Sequence, residues 1–128
     1  MGTGHRVVLI AAGKGDLREA LRAMLLSMPG VTVVEVDDTD AALIALTRDG
    51  INLVVVDAAL PGNNSMELIR ALQERRPRIC SAILVDNVWQ QAAAMRAGAD
   101  RAPLKGEPAL RLFAQVEQLL AGAQPITH

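Results

Sequence analysis

The residues able to do chemistry in this chain gather at the ends of apolar runs. Asp57 closes the run INLVVVD (51 to 57), with Pro61 and Gly62 shortly after it. Asp86 follows ICSAILV (79 to 85), Lys105 ends the weaker run RAPLK (101 to 105), and Lys14 sits in the glycine-rich turn of LIAAGKGD (9 to 16). A lysine in such a turn suggests phosphate binding, but the required GxxxxGK[ST] is missing and Asp16 would oppose a phosphate. The segment AAGKGD therefore reads as a tight turn into a helix capped by Asp16. A strand-end carboxylate such as Asp57 has a plain role open to it as well, capping the loop that follows.

Other polar clusters read as structural. Asp37, Asp38 and Asp40 form an acidic patch that suits helix capping and dipole compensation better than a metal site. The basic run ERRPR (74 to 78) falls at a helix end, where it complements the dipole. His5 and His128 lie near the termini with no cysteine or second histidine at ligand spacing.

Five apolar runs must position these groups: RVVLIAA (6 to 12), VTVVEV (31 to 36), INLVVVD, ICSAILV and RAPLK. Most lack polar alternation, so they read as strands buried on both faces, the mark of a parallel sheet. Between the first two, Leu17, Ala20, Leu21, Met24, Leu25 and Met28 form one apolar helical stripe, ended by Pro29 and Gly30. ALIALTRD predicts a short second helix closing at Gly50. Asn64 with Glu67 predicts a capping box for a third, which stops before Pro77. A fourth spans about Trp89 to Ala97, and a fifth opens near Pro108 and carries Leu112, Phe113, Val116, Leu119 and Leu120 on its inner face. Five strands alternating with five helices predict an open, doubly wound sheet with chemistry at its carboxyl edge. Pro103 in the last run fits an edge strand.

Composition narrows the function. The 128 residues suit one domain, and a net charge of -1 offers no bulk attraction for nucleic acid or anionic lipid. Trp89 and Phe113 are the only aromatics, too few to stack single-stranded nucleic acid. The single Cys80 excludes a disulfide framework and a multi-cysteine zinc site, which points to a reducing, cytoplasmic compartment. No apolar run approaches the roughly 20 residues of a membrane span, and MGTGHR carries no signal-peptide pattern.

The segment INLVVVDAALPGNNSMELIRAL resembles the centre of a response-regulator receiver domain, in which an aspartate ends the third strand and Pro-Gly follows after three residues. AMRAGADRAPLKG is similar to the receiver segment that delivers a lysine from the fifth strand. The resemblance runs from about residue 5 to 121 and is nearest to receivers that precede a helix-turn-helix in transcriptional regulators. It implies a flavodoxin-like, CheY-like (βα)5 fold with strand order 2-1-3-4-5, a domain over 1–121 and a tail or linker over 122–128.

It also implies roles. Asp57 takes the phosphoacceptor position and Lys105 the phosphate-contact position. The acidic pair that holds magnesium corresponds to Ala12 and Gly13, the Ser/Thr position to Val85, and the aromatic switch to Ala102. Much of the reactive apparatus is therefore replaced, with lysine, Lys105 or Lys14, expected to take the place of the metal. The expected function is an atypical receiver that is not an enzyme, binds no cofactor and acts by protein interaction. Its face includes Trp89, Met95, Arg96 and Arg101. Expected partners are an effector domain or a histidine kinase, with a homodimer allowed and neither nucleic acid nor membrane contacted directly. Two alternatives remain: a working magnesium-dependent phosphoacceptor that recruits Asp16 or Asp86, and a flavin-type small-molecule binder.

Overall fold

The computed structural model describes residues 5–48 and 50–122. Strands β1 (Arg6–Ala11), β2 (Val31–Val36), β3 (Ile51–Asp57) and β4 (Cys80–Leu84) form one sheet, ordered β2-β1-β3-β4, with every pair parallel. Helices α1 (Asp16–Leu26), α2 (Thr39–Leu46), α3 (Ser65–Glu74), α4 (Val88–Arg96) and α5 (Ala109–Gly122) alternate with the strands and follow the last.

Side chains of successive strand residues point to opposite faces, and here both faces are dry. Val8, Ile10, Leu53, Val55 and Leu84 pack with Leu21 and Leu25 of α1 and Val116, Leu119 and Leu120 of α5. Leu9, Ala11, Val54, Val56 and Ile83 face the other way, toward residues of α2, α3 and α4 such as Ala42, Leu68, Leu72 and Ala94. This two-sided burial is why the strands read as unbroken apolar runs. Each fully buried Leu, Ile or Val contributes about 1.5–3 kcal/mol, so the two layers dominate stability.

The fifth run corrects the expected five-stranded sheet. Segment 101–105 lies beside β4, as order 2-1-3-4-5 requires, but it joins the sheet only through isolated bridges, Ala82 with Arg101 and Val85 with Leu104. Ile83 N–H donates to Arg101 O (3.0 Å), Val85 N–H to Pro103 O (2.9 Å) and Lys105 N–H to Val85 O (2.8 Å). The rung that this alternation would place from residue 103 to Ile83 O is missing, because proline has no N–H to donate. The ladder has a hole, and the run is not a regular strand.

Two caps and two helix starts also differ from expectation. Asp16 is the first residue of α1 rather than its cap; Gly15 holds the cap position without a side-chain bond. Asn64 precedes α3 but does not cap it, its backbone having left the extended region that a capping side chain needs. Its amide donates instead to Asp40 Oδ1, where a charged acceptor makes the stronger bond. The second helix starts earlier than ALIALTRD suggests, since Asp38 Oδ1 accepts Ala41 N–H at 2.7 Å and caps it. α4 likewise begins at Val88, capped by Asn87. Of the expected tail over 122–128, Gly122 belongs to α5, and the rest, with His128, lies outside the described residues, as does Asp49.

Candidate functional site

Asp57 is the last residue of β3 and pairs in register with Leu84, the last of β4. Its carboxylate therefore emerges at the carboxyl edge between two inner strand ends. Oδ1 accepts Ala59 N–H at 2.9 Å, so the plain loop-capping role is real. It is not the only one. Lys105 Nζ lies 2.5 Å from the same oxygen, and 3.4 Å from Asp86 Oδ1. The lysine's backbone N–H is held by Val85 O, which sets its Cα one rung beyond the end of β4 and lets its stem lie along the sheet edge.

The pair is substantially shielded: 14% of the Asp57 side chain and 22% of the Lys105 side chain are exposed, against 57% for Asp86. Burial alone would lower the ammonium's pKa. The hydrogen bond to Asp57, the charge of Asp57 and then Asp86 outweigh it, and the net result is a pKa above the ordinary lysine value. Asp86, which would repel a phosphate on charge grounds, is here a second counter-ion. Its backbone N–H is fixed by Gln90 Oε1 at 2.7 Å.

Pro61 and Gly62 shape the loop between Asp57 and α3. Buried Thr39 donates its N–H to Pro61 O at 2.9 Å, and its Oγ1 accepts Asn64 N–H at 3.1 Å. Gly62 has φ +127°, and a Cβ there would lie 2.1 Å from Thr39 Oγ1. Only glycine suits both the backbone angle and the close approach. The Asp-to-Pro-Gly spacing thus records how tightly this loop is strapped to α2. Thr39 was invisible as a site-shaping residue in the sequence, because a threonine before a helix signals nothing beyond a cap.

The loop after β1 contributes no charge to the site. Ala12 is buried, its N–H donating to Val36 O at 3.1 Å and its carbonyl accepting from Arg18 Nη1 at 3.4 Å. Neither Ala12 nor Gly13 has a side-chain donor for a cation. Lys14 is exposed and makes no ion pair among the described residues, so the expectation that it could serve as a second cation is not met. Arg18 and Arg22 turn to Glu35, at 3.2 and 3.4 Å. Among the described residues no three of His, Cys, Asp and Glu come together as a cation site. Asp38 caps α2 and Asp86 lies against Lys105, so both carboxylates already have partners.

Val85 and Ala102 are both buried in the layer under α4. Ala102 O accepts Gln91 Nε2 at 2.7 Å, a side-chain tie between α4 and segment 101–105 that sequence reasoning missed. On the outer surface Trp89 is 79% exposed, with Val88, Met95, Arg96 and Arg101 also exposed. Arg75 donates to Ala71 O within its own helix end, and Arg76 pairs with Asp100 at 3.0 Å, which accounts for much of the basic run.

A doubly wound sheet with an aspartate at the carboxyl end of an inner strand, met by a lysine from the sheet edge, defines a receiver-type signalling domain. The chain belongs to the response regulator receiver domain family, whose profile matches residues 8–117. It is 34% identical over 94 residues, 72% of this chain, to the response regulator protein FleR of Pseudomonas aeruginosa, and spans 20% of that relative's length. Full-length FixJ from B. japonicum superposes with a TM-score of 0.80 at 26% identity, covering 96% of this chain and 61% of that one. A putative response regulator from Chloroflexus aurantiacus reaches 0.81 at 20% identity, covering 92% and 99%. The receiver domain of a sensor histidine kinase from Pseudomonas aeruginosa, with magnesium coordinated in its active-site cleft, reaches 0.77 at 19% identity, covering 92% and 99%. The fold is CheY-like and flavodoxin-like. No helix among the described residues is long and apolar enough to cross a membrane.

Proposed function

We propose that this receiver domain signals without phosphorylation, as a protein-interaction module held in one state by the Asp57–Lys105 ion pair. The observation that carries the reading is Lys105 Nζ at 2.5 Å from Asp57 Oδ1, opposite a first loop whose Ala12 and Gly13 cannot hold magnesium. Receiver phosphorylation needs a divalent ion to offset the charge of the incoming phosphoryl group. Here the fixed ammonium neutralises the carboxylate and occupies its Oδ1. The domain is neither an enzyme nor a cofactor carrier on this reading.

Ala102, too small to act as a rotamer switch, leaves the outer face of α4 and segment 101–105 uncoupled from Asp57 by that route. Trp89, Met95, Arg96 and Arg101 then form a constitutive surface for an effector domain, a histidine kinase or a second copy of the chain. Large exposed aromatics and arginines are the residue types that anchor protein interfaces. The net charge of -1 speaks against direct nucleic-acid binding, and the lone cysteine fits a cytoplasmic setting.

Incubation with acetyl phosphate, or with beryllofluoride and magnesium, tests the proposal by intact mass and melting temperature. An unchanged mass and melting curve are expected. A covalent phosphoryl adduct on Asp57, or a magnesium-dependent rise in melting temperature, would establish the working phosphoacceptor instead.

A further inference from the structure

A cavity of about 300 Å³ opens between α3 and α4 at the carboxyl edge of the sheet. Its origin is visible in the sequence of α4. Ala93 and Ala94 of α4 and Ala97 at its C-cap line this space beside Gln90, and the alanines are too short to meet Leu68 and Ile69 of α3. Val85 at the sheet edge adds a further apolar wall. α4 is consequently the least anchored helix of the domain, with Ala94 its one buried residue.

The polar lining residues are Asp57, Thr39, Ser65 and Gln90, and only Asp57 is charged. Asp57 lines the cavity, with Oδ1 already engaged by Lys105 Nζ and Ala59 N–H, while no bond is made to its other oxygen among the described residues. No lysine or arginine lines the space. A carboxylate oxygen can only accept, so a complementary ligand must donate. A charged ligand would have to shed its water against walls of alanine, leucine, isoleucine and valine, which is unfavourable without a full counter-charge. Cavities of about 150 Å³ with apolar walls take up a single benzene ring, and this one is about twice that size.

We infer that the α3–α4 cavity is a binding site for a small neutral ligand, a flat apolar body of about two fused rings with one hydrogen-bond donor directed at Asp57. Filling it replaces missing side-chain volume under α4 and braces that helix against α3. Such a ligand reaches the Trp89 face through packing rather than through phosphate chemistry. The inference extends the phosphorylation-independent reading to a ligand input at the same edge of the sheet. Its test uses neither phosphoryl donor nor metal, so the two stand or fall separately.

The probes are indole, its isostere benzofuran, which lacks the N–H, and the anion indole-3-carboxylate, titrated into the isotopically labelled full chain and followed by amide chemical shifts. Indole is expected to shift the amides around Leu68, Ile69, Ala93 and Ala97 saturably. Benzofuran should bind roughly fivefold more weakly for the lost hydrogen bond, and the anion should not bind over the same range. Ala93→Leu and Ala97→Leu, which fill the cavity without touching Asp57 or Lys105, should each abolish the indole shifts; if one of them fails to fold, the other decides. No saturable shifts with indole, shifts that persist in a folded leucine variant, equal affinity of benzofuran, or binding of the anion as tight as that of indole would each overturn the assignment.

Discussion

Lys105 and Asp57 meet across the carboxyl edge of the sheet at 2.5 Å, the lysine arriving from an irregular edge segment and the aspartate from the end of an inner strand. A second carboxylate, Asp86, stands 3.4 Å from the same ammonium. The three groups form a chain of charges with the cation at its centre.

Removing that cation should be felt. In Lys105→Met, the shielded Asp57 carboxylate keeps only the Ala59 N–H, and losing a charged hydrogen bond in this setting costs about 1.5–3 kcal/mol. Lys14→Met, at an exposed position without an ion pair, should stay within about 0.5 kcal/mol of the parent. Urea midpoints for the two variants measure the difference, and equal values would remove the pair from its stabilising role.

The pair also sets an alkaline limit. The Lys105 pKa is raised in the folded chain, by the Asp57 hydrogen bond and charge prevailing over burial. The unfolded chain therefore gives up this proton first, at about pH 10.4. Stability from the pair is complete below that value and declines as pH rises through the folded pKa. Denaturation midpoints collected from pH 8 upward should fall more steeply in the parent than in Asp57→Asn, where the ammonium has lost its main partner.

Gly62→Ala should be strongly destabilising, by about 2 kcal/mol or more, since it combines a positive φ with a collision at Thr39. Gly13 is a matched control. A Cβ there meets Pro61 Cδ at an ordinary 3.8 Å, so Gly13→Ala should be close to neutral in the same melting assay.

The outer face of α4 should separate binding from stability. Trp89→Ala, at a side chain 79% exposed, should change folding stability by no more than about 0.5 kcal/mol. Loss of self-association or of partner capture in that variant, read by sedimentation, would mark the face as an interface. Gln91→Ala differs in kind: it cuts the bond to Ala102 O and should destabilise the domain by about 1 kcal/mol while speeding amide exchange in α4.

The unbroken apolarity of VLIA, LVVV and AILV was sufficient to call for parallel strands buried on both faces, and the stripe through Leu21 and Leu25 for a helix against them. Such patterns are readable because burial acts on each residue type independently of its partners. Caps were less readable. Asn64 and Glu67 carry the letters of a capping box, yet the amide of Asn64 goes to Asp40, a residue on another element that no local pattern reveals.

By itself, then, the order of residues determined the alternation of strands and helices, the placing of Asp57 at a strand end, and the absence of cation-binding side chains at Ala12 and Gly13. Tertiary structure alone decided which lysine reaches Asp57, that Asp86 joins it, that Pro103 leaves a gap in the edge ladder, and that α4 stands off from α3 over an apolar cavity. The reason is range. Propensity and burial are properties of single residues and their near neighbours, whereas an ion pair or a void depends on where chain-distant backbones are held to within an ångström or so, and only the packed sheet holds them there.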